Sequence, residues 1–152
     1  GFLAALRNGG GWDLDRRLIA RPFPQPLKDN SPNDNDWTAL RNELARQAGI
    51  VIFIGGSKFI EGALIPAKGV LEEFECAKES GAFLLPIGAT GGAAQVISQE
   101  LFSSDLITTG NGAQRPFDKE LKQLSDSSLL LEKKSRESLV SLIFEIIDRV
   151  TK

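Results

Sequence analysis

Three charged residues that are distant in the sequence carry the side chains needed to bind a phosphorylated sugar. Arg41 and Lys58 offer cationic donors to phosphate oxygens, and Glu73 offers a carboxylate that accepts hydrogen bonds from hydroxyls. At about 100° per residue, Arg41 and Glu73 lie about 55° and 65° from the centres of the apolar stripes of their predicted helices. They occupy early turns, on the ligand side of an α/β sheet. Geometry alone leaves the alternatives open: solvated side chains, or a pair between Arg41 and Glu73.

Two glycine-rich loops each follow a predicted strand. Gly55-Gly56-Ser57-Lys58 follows residues 50–54, and Gly88-Ala89-Thr90-Gly91-Gly92 follows residues 83–87 and precedes a helix. Glycines allow a phosphate or ribose to approach the backbone, and a helix start presents N–H groups. The candidate binding residues in these loops are Gly55, Gly56, Gly88, Thr90 and Gly91. Neither loop matches a Walker or G-x-G-x-x-G motif, and ordinary strand-to-helix turns explain each loop equally well.

Arg21 is a further candidate, because it ends a predicted strand at 18–21 and faces the same rim. Pairing with the acidic loop between Asp29 and Asp36 is the alternative. Lys58, by its position alone, is equally well explained as a solvated loop lysine.

Composition excludes several kinds of chemistry. The 152 residues contain no His and a single cysteine, Cys76, so Ser-His-Asp systems, His zinc sites and intrachain disulfides are excluded, and no metal is expected. A net charge of −2 argues against a broad nucleic-acid surface. No apolar run approaches the ~20 residues of a membrane span, so we expect a soluble, cytoplasmic chain.

Short β-branched runs alternate with helical periodicity, which predicts an α/β fold with an open, mainly parallel sheet flanked by helices. The predicted strands are 18–21, 50–54 and 83–87, and the predicted helices are 37–48, 70–80, the segment after Gly92, 117–124 and 136–150. The closing helix is expected to bury Leu139, Val140, Ile143, Ile146, Ile147 and Val150. The length favours a single domain over residues 1–152. Residues 1–6 have the pattern of the interior of a helix, with no strand before them. We therefore expect a fragment that lacks its N-terminal strand.

Several of these motifs resemble a known family. Gly55-Gly56 and the later Gly69-Val70-Leu71-Glu72-Glu73 resemble the split signature of the SLOG superfamily, which includes the Lonely Guy phosphoribohydrolases and the Smf proteins. Over about residues 1–105 the chain is most similar to the STALD-type sensor domain of Thoeris anti-phage NADase effectors. The segments that carry this resemblance are Arg21 to Gln25, Trp37 with Arg41, Ile52 to Lys58, Gly69 to Ala77 and Pro86 to Gly91.

The resemblance implies a Rossmann-like SLOG fold and a regulatory, non-catalytic domain without a cofactor. Its implied ligand is a cyclic ADP-ribose isomer made by a partner TIR protein, and the family's binding Arg, Lys and Glu fall on Arg41, Lys58 and Glu73, with Gly69 in the signature. The implied partners are a sirtuin-type or TIR-type effector domain in the same full-length chain and a second copy in a homodimer.

Two other functions use the same features. A Lonely Guy-like nucleotide N-glycosidase would use Glu73 to stabilise an oxocarbenium-like centre and Arg41 to hold the phosphate. An interaction module would only dimerise, through its apolar closing helix. The interruption between Gly56 and Gly69 favours sensing over hydrolysis, because it separates elements that the hydrolase motif keeps contiguous.

Overall fold

A computed structural model describes residues 34–103 and 117–152. The predicted strand at 18–21, with the candidate Arg21, lies outside the described residues. The helices are α1 Asp34–Gln47, α2 Lys68–Glu79, α3 Gly92–Ser103, α4 Asp118–Gln123 and α5 Lys133–Val150. The strands are β1 Ile50–Ile54, β2 Ser57–Ile60, β3 Ala63–Pro66 and β4 Phe83–Ile87, and short 3-10 turns cover Gly88–Thr90 and Ser127–Leu130.

The chain divides into two compact units, residues 1–37 and residues 38–152. Only residues 34–37 of the first unit are described, so the account below concerns the second unit. The expectation of one domain over 1–152 stays a prediction.

Two predicted strands, β1 and β4, pair in parallel, with Ile50 opposite Phe83 and Ile54 opposite Ile87. A parallel pair needs a crossover connection, and α2 lies within the segment that links the two strands. Both strands therefore end at the same edge, where the two glycine loops begin. The helices and this parallel pair confirm the predicted α/β, Rossmann-like architecture.

Apolar clusters cover both faces of this strand pair. Phe53 of β1 packs edge-on against Phe74 of α2, with ring centroids 6.0 Å apart, and α3 completes that cluster through Ala94, Ile97 and Leu101. On the other face Leu85 and Ile87 of β4 pack with residues of α4 and α5. Coverage on both faces explains why β4 is a nearly continuous apolar run, whereas Ile52 and Ile54 of β1 are 42% and 67% exposed.

The closing helix buries a narrower face than expected. It begins at Lys133, and Leu139 and Ile146 are buried, as predicted. Val140 is 48% exposed, so the prediction that it is buried was wrong. Val140 follows Leu139 by about 100° around the helix, which carries it off the buried face.

Residues 57–66 form an antiparallel hairpin that the sequence analysis treated only as an interruption. Glu61 and Gly62 have positive φ angles of 50° and 85°, the backbone of a tight two-residue hairpin turn. All eight strand residues are exposed, Lys58 among them. The Ala67 N–H donates to the Gly56 carbonyl at 2.8 Å and closes the base of the hairpin. The insertion therefore loops out and returns to its starting point.

Within the described residues, no helix has both the length and the apolarity that crossing a bilayer requires.

Gly92→Ala should reduce the free energy of unfolding by about 2–4 kcal/mol. Its φ is +59°, and an added Cβ would lie 2.8 Å from the Gly55 carbonyl oxygen and 2.9 Å from the Gly56 carbonyl carbon. Gly49→Ala is the matched control, because a Cβ there meets nothing within 4 Å. Urea unfolding measures both; equal midpoints for the two variants would contradict this account of the contact.

Candidate functional site

A threonine side chain ties the two glycine loops together at the strand ends. The Gly55 N–H donates to Thr90 Oγ1 at 2.7 Å, and the Thr90 hydroxyl donates to the Ile87 carbonyl at 2.6 Å. Thr90 thereby sets the distance between the loops. Its hydroxyl proton is already donated to the Ile87 carbonyl. The hydroxyl oxygen keeps capacity to accept, so a ligand role for Thr90 stays a prediction.

The start of α3 is occupied by the protein itself, contrary to the expectation of open N–H groups. The Ala93 N–H donates to the Gly56 carbonyl and the Ala94 N–H to the Gly55 carbonyl, both at 2.9 Å. These bonds satisfy two of the donors that a helix start leaves without intrahelical partners. The Gly55-Gly56 loop therefore caps α3, and these two N–H groups cannot serve as donors to an anion while that cap is in place.

In the second glycine loop, close packing explains why residue 88 is a glycine. A Cβ on Gly88 would lie 2.9 Å from the Ser98 Cβ and 3.0 Å from the Ser125 Oγ. The Ser98 and Ser125 hydroxyls hydrogen-bond to each other across this contact. Close packing against that pair accounts for Gly88, whereas a Cβ on Gly91 would meet nothing within 4 Å. Ligand contacts by either glycine stay predictions.

Arg41 is the central residue of the candidate site. It is only 7% exposed, and its guanidinium lies against the first turn of α2. Arg41 Nη1 is 2.8 Å from Glu72 Oε2, and Arg41 Nε is 3.9 Å from Glu73 Oε1. The predicted pair of Arg41 with Glu73 is thus present as the looser of two contacts.

Gly69 provides the space that the guanidinium occupies. A Cβ at Gly69 would lie 2.9 Å from Arg41 Nη2. The next residue, Val70, would meet a Cβ on Gly56 at 3.2 Å, which places the first glycine loop beside the same turn of α2. Gly56, Gly69 and Arg41 therefore all lie in or beside the first turn of α2.

Glu72 is the residue that the sequence analysis missed. At about 100° per residue Glu72 points outside the apolar stripe of Val70, Phe74 and Ala77. It nevertheless holds Arg41 more closely than Glu73 does, and its Oε1 also lies 3.4 Å from Lys68 Nζ. The signal was present in the sequence, because Glu72 follows Gly69 by three residues and so lies on the same side of α2. Where a glycine such as Gly69 leaves space for a cationic side chain, an acidic residue on the same side of the helix is expected to pair with that cation.

Burial raises the pKa of the Glu73 carboxyl above its ordinary value, by more than the nearby Arg41 guanidinium lowers it, and Glu72 raises it further. The side chain remains 37% exposed, so a ligand can reach it. A carboxyl in this setting accepts hydrogen bonds when ionised and holds a proton more readily than a surface glutamate does.

Lys58 lies on the exposed β2 strand, opposite Ile65 of β3. Across residues 34–103 and 117–152, the ion pairs of the site join Arg41, Glu72, Glu73 and Lys68, and none involves Lys58. The structure thus brings Arg41 and Glu73 together with Gly69 and the first glycine loop. Convergence of Lys58 on this group stays a prediction.

Comparison with known proteins finds a family and several relatives that this chain is similar to. A family model described as the Sir2- and TIR-associating SLOG family, STALD, matches residues 1–150. The NAD(+) hydrolase ThsA of Bacillus cereus (strain MSX-D12) is 31% identical over 148 residues, which are 97% of this chain and 29% of the relative. The NAD(+) hydrolase ThsA of Acinetobacter baumannii (strain 532279) is 36% identical over 109 residues, 68% of this chain and 23% of the relative. The chain thus spans less than a third of the length of these relatives.

Glu73→Gln should raise the free energy of unfolding at pH 7. A carboxyl whose pKa is higher in the folded than in the unfolded chain loses stability as pH rises from its ordinary value, 4.5, through the raised value. Glutamine avoids that loss because it does not ionise, so its advantage should be complete at pH 7 and shrink toward pH 4. Urea unfolding at both pH values measures the difference. Glu75→Gln, at an exposed position on the same helix, is the control, and an equal gain there would refute the role of Glu73 burial.

Proposed function

Because this chain belongs to the Sir2- and TIR-associating SLOG family, we propose that it is a regulatory nucleotide-binding domain that senses a cyclic ADP-ribose isomer. The observation that carries the proposal is the buried Arg41 guanidinium, 2.8 Å from Glu72 and 3.9 Å from Glu73, at the turn of α2 that adjoins the first glycine loop. A pyrophosphate-bridged sugar requires a cation for its phosphates, an accessible carboxylate for its hydroxyls and a glycine backbone that it can approach closely.

Each ligand group has a matching residue. Arg41 supplies a planar, permanently charged donor set for phosphate oxygens, and Glu73 accepts hydrogen bonds from ribose hydroxyls. Lys58, on the hairpin next to the first loop, adds a second cation. Gly55, Gly56, Gly69, Gly88, Thr90, Gly91 and Arg21 complete the proposed binding residues.

The wider assignment follows from the relatives, which are NAD(+) hydrolases more than three times the length of this chain. We take the hydrolase to be a separate domain of the full-length protein, sirtuin-type or TIR-type, that ligand binding switches on in anti-phage defence. The proposed assembly is a cytoplasmic homodimer. Val140 and Phe144, exposed one turn apart on α5, offer apolar surface for it.

One observation keeps nucleotide N-glycosidase activity as the second candidate. The hairpin closes through Ala67 and Gly56, so the two halves of the signature adjoin in space and the insertion does not displace Glu73. The insertion between Gly56 and Gly69 is therefore a weaker reason to disfavour hydrolysis than its place in the sequence suggests. The raised pKa of Glu73 also suits a general acid. Sensing is preferred because of the family, whose members are associated with Sir2 and TIR proteins.

Arg41→Ala and Glu73→Ala should each weaken binding of a cyclic ADP-ribose isomer by ~10 to 100-fold, the effect of losing a charge-assisted hydrogen bond. Isothermal titration calorimetry measures the dissociation constants, with thermal unfolding to confirm that each variant is folded. Arg46→Ala, on the exposed side of α1, and Glu75→Ala, on α2, are the matched controls.

Product analysis on nucleoside monophosphates separates the candidate functions. Binding of an isomer without turnover supports sensing, and release of free base supports the glycosidase. Unchanged affinity in both Arg41→Ala and Glu73→Ala would reject this site, and neither binding nor turnover by the wild-type chain would leave only a dimerising module.

A further inference from the structure

Glu72 occupies a donor group of Arg41 that a phosphate would also use. Glu72 Oε2 lies 2.8 Å from Arg41 Nη1, a distance typical of a charge-assisted hydrogen bond, whereas Glu73 lies 3.9 Å from Nε. Gly69 lies against Nη2, so the guanidinium is held by α2 on several sides. A phosphate that binds Nη1 must displace the Glu72 carboxylate.

Because Arg41 is buried, the Glu72 carboxylate can leave it at low cost only when a phosphate takes its place. Arg41 is 7% exposed, so water cannot solvate its charge when Glu72 leaves, and breaking a buried pair without a replacement is costly. An arriving phosphate supplies that replacement. The carboxylate that leaves is itself 40% exposed and can turn to solvent.

Glu72 also has a second partner ready on the solvent side. Its Oε1 lies 3.4 Å from Nζ of Lys68, which precedes it by one helical turn and whose side chain is 88% exposed. Such an i,i+4 pair remains available when Glu72 turns away from Arg41. The Glu72 carboxylate thus bridges Arg41 and Lys68, and its contact with Lys68 can be kept when its contact with Arg41 is broken.

We propose that Glu72 is an affinity-determining residue that competes with the ligand's phosphate for Arg41 and moves toward Lys68 when the ligand binds. This inference rests on the proposed function, in that it takes Arg41 as the phosphate partner. A site that is occupied by its own carboxylate binds with an apparent affinity lowered by the fraction of molecules in which Arg41 is accessible. Glu72 would thus set the ligand concentration at which the domain responds.

Glu72→Gln should tighten binding of the cyclic ADP-ribose isomer about tenfold relative to the wild-type chain. The amide can still accept a hydrogen bond from Arg41, which protects the fold, but it no longer competes with a charge. Glu72→Asp keeps the charge on a shorter side chain and should shift the dissociation constant in the same direction by less. Glu75→Gln removes an equal charge from the same helix, where the carboxylate pairs with Lys78 at 3.5 Å, and should leave affinity unchanged.

Calorimetry is run with the isomers and, separately, with inorganic pyrophosphate. Equal dissociation constants for wild type, Glu72→Gln and Glu75→Gln toward an isomer would overturn the competition while the proposed function stands. Weaker binding by Glu72→Gln would overturn it too, because Glu72 would then be a ligand contact. If no protein binds an isomer, the proposed ligand is wrong, and pyrophosphate decides: tighter binding by Glu72→Gln than by Glu75→Gln supports the competition, and any other result overturns it.

A double-mutant cycle tests the move toward Lys68. Lys68→Gln removes the second partner and should weaken isomer binding about threefold in the wild-type background, and have no effect in Glu72→Gln. An equal loss in both backgrounds would show that Lys68 acts on the ligand directly, and would overturn the exchange of partners.

Discussion

The site is organised by the need to balance one buried positive charge. A guanidinium that is shielded from water must keep acceptors around it, since a lone buried cation costs several kcal/mol. Here α2 meets that need within a single turn: Gly69 leaves space for the group, and Glu72 and Glu73 face it. The first role of the sequence Gly-Val-Leu-Glu-Glu at the start of α2 is therefore to accommodate the Arg41 side chain of α1 and to balance its charge.

The charged site rests on a backbone framework that is cross-linked by hydrogen bonds. Thr90 joins the ends of β1 and β4, and the carbonyls of Gly55 and Gly56 cap α3. Apolar clusters on both faces hold the strands beneath these loops. A framework set in advance lowers the ordering cost of binding, so more of the contact energy would appear as affinity. Burial of Glu73 raises the pKa of its carboxyl, so its ionised form should lower the free energy of unfolding at neutral pH.

Much of this arrangement was predictable from the sequence because it follows from local patterns. The apolar runs at 50–54 and 83–87 predicted β1 and β4, and the helical spacing of Ala94, Ile97 and Leu101 is typical of the buried face that they form on α3. The burial of Arg41 was not predicted, because its place on the flank of an apolar stripe fitted a solvated side chain equally well. What failed depended on contacts between elements. Glu72 pairs with a residue 31 positions earlier, and the capping of α3 by Gly55 and Gly56 needs both loops in place. The hairpin was missed because Glu61-Gly62 is not among the strongest turn signals.

The closed base of the hairpin gives two cations of the candidate site different structural supports. Arg41 is fixed by the folded core, so any change to its position carries a penalty throughout α1 and α2. Lys58 stands on the exposed hairpin, whose base is closed by the hydrogen bond between Ala67 and Gly56. Substitutions in the hairpin should therefore change the surroundings of Lys58 while the buried contacts of Arg41 with α2 stay in place.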